Sequence, residues 1–189
     1  MAYPGYGGAP QDAWAPSAPG PGMDPFYQYF SRVAGSDQQI SVLELQKCLN
    51  TLGWVNFSLN TCHIILDMLD RDYSEQMGYN EFKEFWVVLK QWKETFDRYD
   101  LNRTGYIEGP EFHNALREFG YNLSPQFVGL VLYKFDFETR RKLNFDQFVN
   151  TCIMLKGLTD HFRHRDATQT GHAKFNYDDF MQVAVTFAP

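Results

Sequence analysis

The 189 residues carry 17 Lys and Arg against 23 Asp and Glu, a formal net charge of −6, and 44% of them are hydrophobic and 17% aromatic. That is the composition of a folding chain, one domain or two lobes around a shared core, and its acidic balance excludes the clustered basic surface that nucleic-acid binding requires. No window approaches the ~20 consecutive apolar residues of a membrane span, and the N-terminus lacks the basic-then-apolar order of a signal peptide, so a soluble, cytoplasmic protein with no nucleic-acid partner is expected.

Residues 1–25, MAYPGYGGAPQDAWAPSAPGPGMDP, hold six of the nine prolines and five of the fourteen glycines. Proline removes backbone donors, glycine raises the entropy of the coil, and no apolar period appears, so this part reads as a flexible leader. From residue 26 to 189 the texture changes to aromatic and aliphatic residues at helical spacing. Within it a pattern recurs: an apolar residue, then four positions later an acid or amide followed by a large apolar side chain. The pattern places Ile40 before Glu44-Leu45, Met77 before Glu81-Phe82, Ile107 before Glu111-Phe112, Leu143 before Gln147-Phe148 and Phe175 before Asp179-Phe180. A helix-loop-helix calcium site needs such a register. The loop offers oxygens at alternating places, the eighth place bridges to a neighbouring loop, and a carboxylate at the twelfth closes the shell.

The first loop, AGSDQQISVLE, has eleven residues and begins with Ala34 rather than an acid. Counted back from Glu44, the side chain of Asp37 and the carbonyls of Ala34 and Gln39 fall where oxygens could converge. The second loop, DRDYSEQMGYNE, carries Asp70, Asp72, Ser74 and Glu81 at places one, three, five and twelve. Its sixth place, ordinarily glycine, is Glu75, and a left-handed non-glycine residue costs ~1–2 kcal/mol. A helix is predicted over Tyr79–Tyr99, with Phe82, Phe85, Trp86, Leu89, Trp92 and Phe96 forming one apolar stripe. Drawing Glu81 into its loop would tilt this helix and move Trp86 and Trp92.

The third loop, DLNRTGYIEGPE, fits best: Asp100, Asn102 and Thr104 offer side-chain oxygens, Gly105 allows the turn, Tyr106 lends its carbonyl, Glu108 acts through water and Glu111 closes. Pro110 and the Ser124-Pro125 pair mark helix starts, since proline at the first helical position loses only an N–H that the helix leaves unpaired. The fourth loop puts Arg140, Arg141 and Lys142 in its middle and Gln147 at its close, which defeats a divalent cation electrostatically. The fifth runs fourteen residues from Asp166 to Asp179, with Thr168 and Thr170 adding no charge. Both read as structural. Cys48, Cys62 and Cys152 are odd in number and form no CxxC motif, so they read as buried thiols. His161, His164 and His172 offer a transition-metal alternative, but no catalytic motif accompanies them, and the chain is read as a non-enzyme.

Five such units, a short first loop opening on Ala-Gly, an expanded fifth loop and a Gly/Pro/Tyr leader resemble the penta-EF-hand family. So do segments such as YFSRVAGSD, ELQKCL, MLDRDYS, MGYNEFKEFW, GLTDHFRHRD and NYDDF. The resemblance implies an all-α fold of five EF-hands with short β-bridges between paired loops. It implies Ca2+ bound through the first three hands, with Gln76 joining the second set, and a calcium sensor that exposes apolar surface to target proteins or reversibly to membranes. Five hands leave one unpaired, so residues 160–189, with Phe162, Phe175, Tyr177, Phe180, Val183 and Phe187, are expected to form the interface of a homodimer or of a heterodimer with another penta-EF-hand chain. A constitutive dimeric scaffold, such as the small regulatory chain of a calcium-dependent protease, is the alternative.

Overall fold

Helix starts in this chain are written by short polar caps. In the computed structural model, which describes residues 25–70, 74–136 and 141–186, the elements are α1 (Pro25–Ala34), α2 (Val42–Thr51), α3 (Leu59–Leu69), α4 (Tyr79–Tyr99), β1 (Tyr106–Glu108), α5 (Gly109–Glu118), α6 (Pro125–Phe135), β2 (Lys142–Asn144), α7 (Phe145–Arg165) and α8 (Tyr177–Thr186). Ser41, Ser58 and Ser124 each accept from the amide three residues on and so start α2, α3 and α6. Pro110 and Pro125 lie in first turns, as expected. The helix α4 has the predicted bounds, and its apolar stripe is buried at Phe82, Phe85, Leu89, Trp92 and Phe96, while Trp86 is half-buried. The leader assigned to residues 1–25 lies, except for Pro25, outside the described residues.

The loops pair in two sets. Ile40 and Met77 exchange both backbone hydrogen bonds at 2.9 Å in an antiparallel bridge between loops one and two. In loops three and four, β1 and β2 pair antiparallel with Ile107 opposite Leu143. All four of these eighth-place residues are buried in the core. Among the described residues, no strand or bridge involves the fifth loop.

One core serves both sets. Phe30, Phe82 and Phe85 belong to it, and so do Phe112, Phe145 and Phe148. The ring of Phe145 meets Trp54 and Phe57 at 5.8 Å and Phe96 at 5.3 Å, so it joins the two sets through edge-on aromatic contacts, and it stacks on Phe148 at 6.3 Å. The first helix, α1, is fastened to α4 by Phe26 stacked on Phe82 at 5.4 Å and Tyr27 edge-on to Tyr79 at 4.9 Å. The three cysteines are free and buried. Burial pushes the Cys62 thiol up to about 12 and the Cys152 thiol higher, which keeps both protonated and unreactive.

A candidate set of calcium loops

Asp100 ends α4 and opens the third loop, and the turn brings backbone amides round to meet it. Its Oδ1 accepts from the Thr104 amide at 2.9 Å and its Oδ2 from the Gly105 amide at 2.8 Å. Two positive φ angles make this possible, Arg103 at 55° and Gly105 at 78°. The Thr104 hydroxyl then lies 3.4 Å from Asp100 Oδ1 and 3.2 Å from the Tyr106 carbonyl oxygen, and the Asn102 Oδ1 shares the Thr104 amide at 3.3 Å. Places one, three, five and seven thus gather around one threonine. Glu111 is in the first turn of α5, and its Oε2 accepts from the Glu108 amide at 2.9 Å, which makes it half of a capping box.

The second loop repeats the frame where it is described. Asp70 takes the Ser74 and Glu75 amides at 2.9 Å each, and the Ser74 hydroxyl donates to the Gln76 carbonyl at 3.0 Å. Glu75 adopts φ 58°, the strained left-handed geometry expected at the sixth place. Glu81 accepts from the Gly78 amide at 2.8 Å. Asp72 lies outside the described residues.

In the first loop Ala34 is buried, Asp37 is exposed and its Oδ1 accepts from the Gln39 amide at 3.2 Å. Gly35 at φ 65° and Gln38 at φ 59° provide the turn, and Gln38 is pinned between the Tyr27 hydroxyl and the Gly35 carbonyl. Glu44 accepts from both the Ser41 amide and hydroxyl, at 2.9 and 2.7 Å. All three closing glutamates therefore occupy the same capping position.

The fourth loop closes differently. Gln147 caps its helix through the Asn144 amide at 2.9 Å, and its own Nε2 donates to the Phe135 carbonyl at 2.7 Å, tying the loop's two ends together with an amide. Asp136 Oδ2 is occupied by the Arg141 and Lys142 amides, at 2.8 and 3.1 Å. In the fifth loop Asp166 repeats the pattern of Asp100, accepting from the Thr170 and Gly171 amides at 3.0 and 2.8 Å. Its closing acid Asp179 faces Arg165 at 3.4 Å. Burial would raise the Asp166 carboxyl, but these hydrogen bonds outweigh it and hold the group below the ordinary carboxylate range.

Among the described residues no three His, Cys, Asp or Glu side chains meet at one point. Each loop instead combines a carboxylate with hydroxyl, amide and carbonyl oxygens. That all-oxygen set suits a hard cation such as calcium and gives a soft transition metal no thiolate or imidazole. His172 turns back onto the Thr170 carbonyl at 3.1 Å.

Two features were not read from the sequence. The Asp146 carboxylate, at the start of α7, accepts from the Ser58 amide at 3.2 Å and so links α7 to the cap of α3 across 88 positions. Beside it a cleft of about 740 Å³ runs between α3 and α7, lined by Ile64, Met68, Lys134, Ile153 and Met154 among others.

This arrangement of paired loops, bridged at the eighth place and capped at the twelfth, is that of EF-hand proteins, and the chain belongs to the penta-EF-hand family, in its sorcin and grancalcin group. A family model described as an EF-hand domain pair matches residues 89–153. The chain is 45% identical to sorcin of Mus musculus, over 97% of this chain and 93% of that protein. To grancalcin of the same species it is 40% identical, over 97% of this chain and 82% of that one. Its fold is similar to that of a homolog of programmed cell death 6 protein from Leishmania major Friedlin, with a TM-score of 0.71, 29% identity and coverage of 95% of this chain and all of that one. The chain is a calcium-binding regulatory protein.

Proposed function

We propose that the protein is a dimeric calcium sensor whose first three loops hold the ion. The first would use the carbonyls of Ala34 and Gln39 with Asp37 and Glu44. The second would use Asp70, Asp72, Ser74, the Gln76 carbonyl and Glu81, and the third Asp100, Asn102, Thr104, the Tyr106 carbonyl and Glu111. The observation that carries the reading is the third loop, where the Thr104 hydroxyl lies within 3.4 Å of both Asp100 Oδ1 and the Tyr106 oxygen. A bound calcium ion supplies the double positive charge that such a gathering of oxygens favours.

Each closing glutamate has two competing tasks, capping its helix and completing its loop. Glu81 begins α4 and Asp100 caps the other end of the same helix, so a shift at one site is carried along a rigid rod to the next. Along that rod Trp86 is half-buried, with Phe26 at 6.0 Å and Tyr29 at 5.5 Å, and a tilt of α4 would uncover apolar surface of this α1–α4 aromatic cluster. That surface would engage target proteins or a membrane reversibly, so the protein acts by binding rather than catalysis, moving from cytoplasm to membranes as calcium rises.

The fifth hand supports the dimer. No residue of α8 is buried, and Tyr177, Phe180 and Val185 are 79%, 58% and 69% exposed. Phe187 lies outside the described residues. A second copy, or another penta-EF-hand chain, would pair with this loop and cover the helix.

Calorimetric calcium titration with tryptophan fluorescence and gel filtration tests the reading. Uptake at roughly 10⁻⁷–10⁻⁵ M is expected, with a fluorescence change that Glu81→Gln/Glu111→Gln removes, and Phe180→Asp should convert a dimer to a monomer. Absent heat and an unchanged spectrum would instead favour a constitutive scaffold.

A further inference from the structure

Antiparallel pairing of Ile40 with Met77 sets Gln39 opposite Gly78. Gly78 is the ninth place of the second loop, the position from which EF-hand loops ordinarily direct a side-chain oxygen toward the ion, often through water. Here it has no side chain, and its backbone is extended at φ −77° and ψ 173°. A Cβ built on Gly78 would meet two oxygens, Glu81 Oε2 at 3.7 Å and Gln39 Oε1 at 3.8 Å. The first belongs to the closing carboxylate of the second loop. The second is buried and, among the described residues, has no hydrogen-bond partner.

A buried acceptor without a donor bears the full desolvation cost of the group, and a carboxylate nearby offers it nothing. Both oxygens are suited to a cation or to water bound to one. We propose that Gln39 supplies, across the bridge from the first hand, the ninth-place oxygen that Gly78 cannot, so that the second calcium site is completed by a residue of its neighbour. The inference rests on the reading of the second loop as a calcium site. It also makes Gln39 common to two sites, through its carbonyl in the first and its side-chain oxygen in the second, so ordering one loop prepares the other.

The competing role for Gln39 reverses its amide, with Nε2 donating to Glu81. The full chain carrying Glu44→Gln and Glu111→Gln, which retains only the second site, separates the two when calcium is titrated by calorimetry. Adding Gln39→Met removes the oxygen at similar size and is expected to weaken binding about five- to tenfold, the scale of one lost polar contact. Adding Gly78→Ser to that variant restores the affinity, since the extended backbone and ordinary contact distances at Gly78 accept a side chain. Gln39→Glu strengthens binding if the oxygen faces the ion and weakens it if the amide merely served Glu81. Affinity unchanged in Gln39→Met, no rescue by Gly78→Ser, or a loss in Gln39→Glu overturns the inference while the second site stands. A background chain that takes up no calcium overturns both.

Discussion

Among the described residues loops one and two share a single bridge, Ile40 with Met77, and the ninth place of the second loop is a bare glycine facing Gln39. Between loops three and four it is a three-residue ladder, and the ninth place of the third loop is Glu108 facing Lys142, whose ammonium also lies 3.9 Å above the Tyr106 ring. The sixth places differ too, strained Glu75 at φ 58° against Gly105 at φ 78°. The second pair therefore builds one well-formed loop and ties the other shut through Gln147. The first pair distributes its oxygens over two imperfect loops. The two pairs share one backbone frame and differ in the side chains at places six and nine.

Five substitutions, in four experiments, would break or sharpen this contrast. The largest effect is expected from Phe145→Ala, because that ring joins the two pairs; truncating a buried Phe costs ~3–5 kcal/mol. If the pairs share one core, Trp54 fluorescence and far-ultraviolet circular dichroism will report a single transition at lower denaturant, whereas separate transitions would mean independent halves. Next, Glu111→Gln should lower the affinity of the strongest site by about 100-fold and Glu81→Gln that of its site by about tenfold, since losing one charged ligand is worth ~1.5–3 kcal/mol. Calorimetry that ranked them the other way would reverse the contrast. Third, Glu75→Gly relieves the left-handed strain and should stabilise the calcium-free protein by about 1 kcal/mol, read as a higher urea midpoint.

The smallest effect concerns the link between the pairs. Burial pushes the Asp146 carboxyl above its ordinary value, partly opposed by hydrogen bonds from Thr61 and Ser58. A raised folded-state value means that the stability from Asp146 is fully present in acid and is lost as pH climbs through that value. Asp146→Asn should thus match the parent at low pH and melt slightly higher at neutral pH. An Asp146→Asn chain that melts lower than the parent at neutral pH, with the gap closing as pH falls, would show that the ionised carboxylate stabilises the link.

Much of this was legible in the residue order. The bounds of α4, the buried eighth-place residues and the starts of α5 and α6 follow from periodicity and capping, which act within a few positions. The third loop was legible for the same reason, since its oxygens lie on twelve consecutive residues. The partnership of Gln39 with Gly78 was not, although the bridge residues Ile40 and Met77 already imply it: neighbours of paired residues face each other, and a glycine at the ninth place was the signal to look for. The Asp146–Ser58 bond and the cleft beside it left no such trace, because they arise only when α3 lies on α7.

The family, the five-fold repeat and the residues offered at each loop place come from the chain's own succession of residues, because helix caps, turn angles and loop oxygens are set over short spans. Which oxygen faces a neighbouring loop, which carboxylate is desolvated and which helix is left uncovered were settled by packing, since those depend on contacts between residues far apart in the chain. Gln39 shows the division. Its place in the first loop is a matter of counting, and its position beside Gly78 of the second exists only in the folded pair.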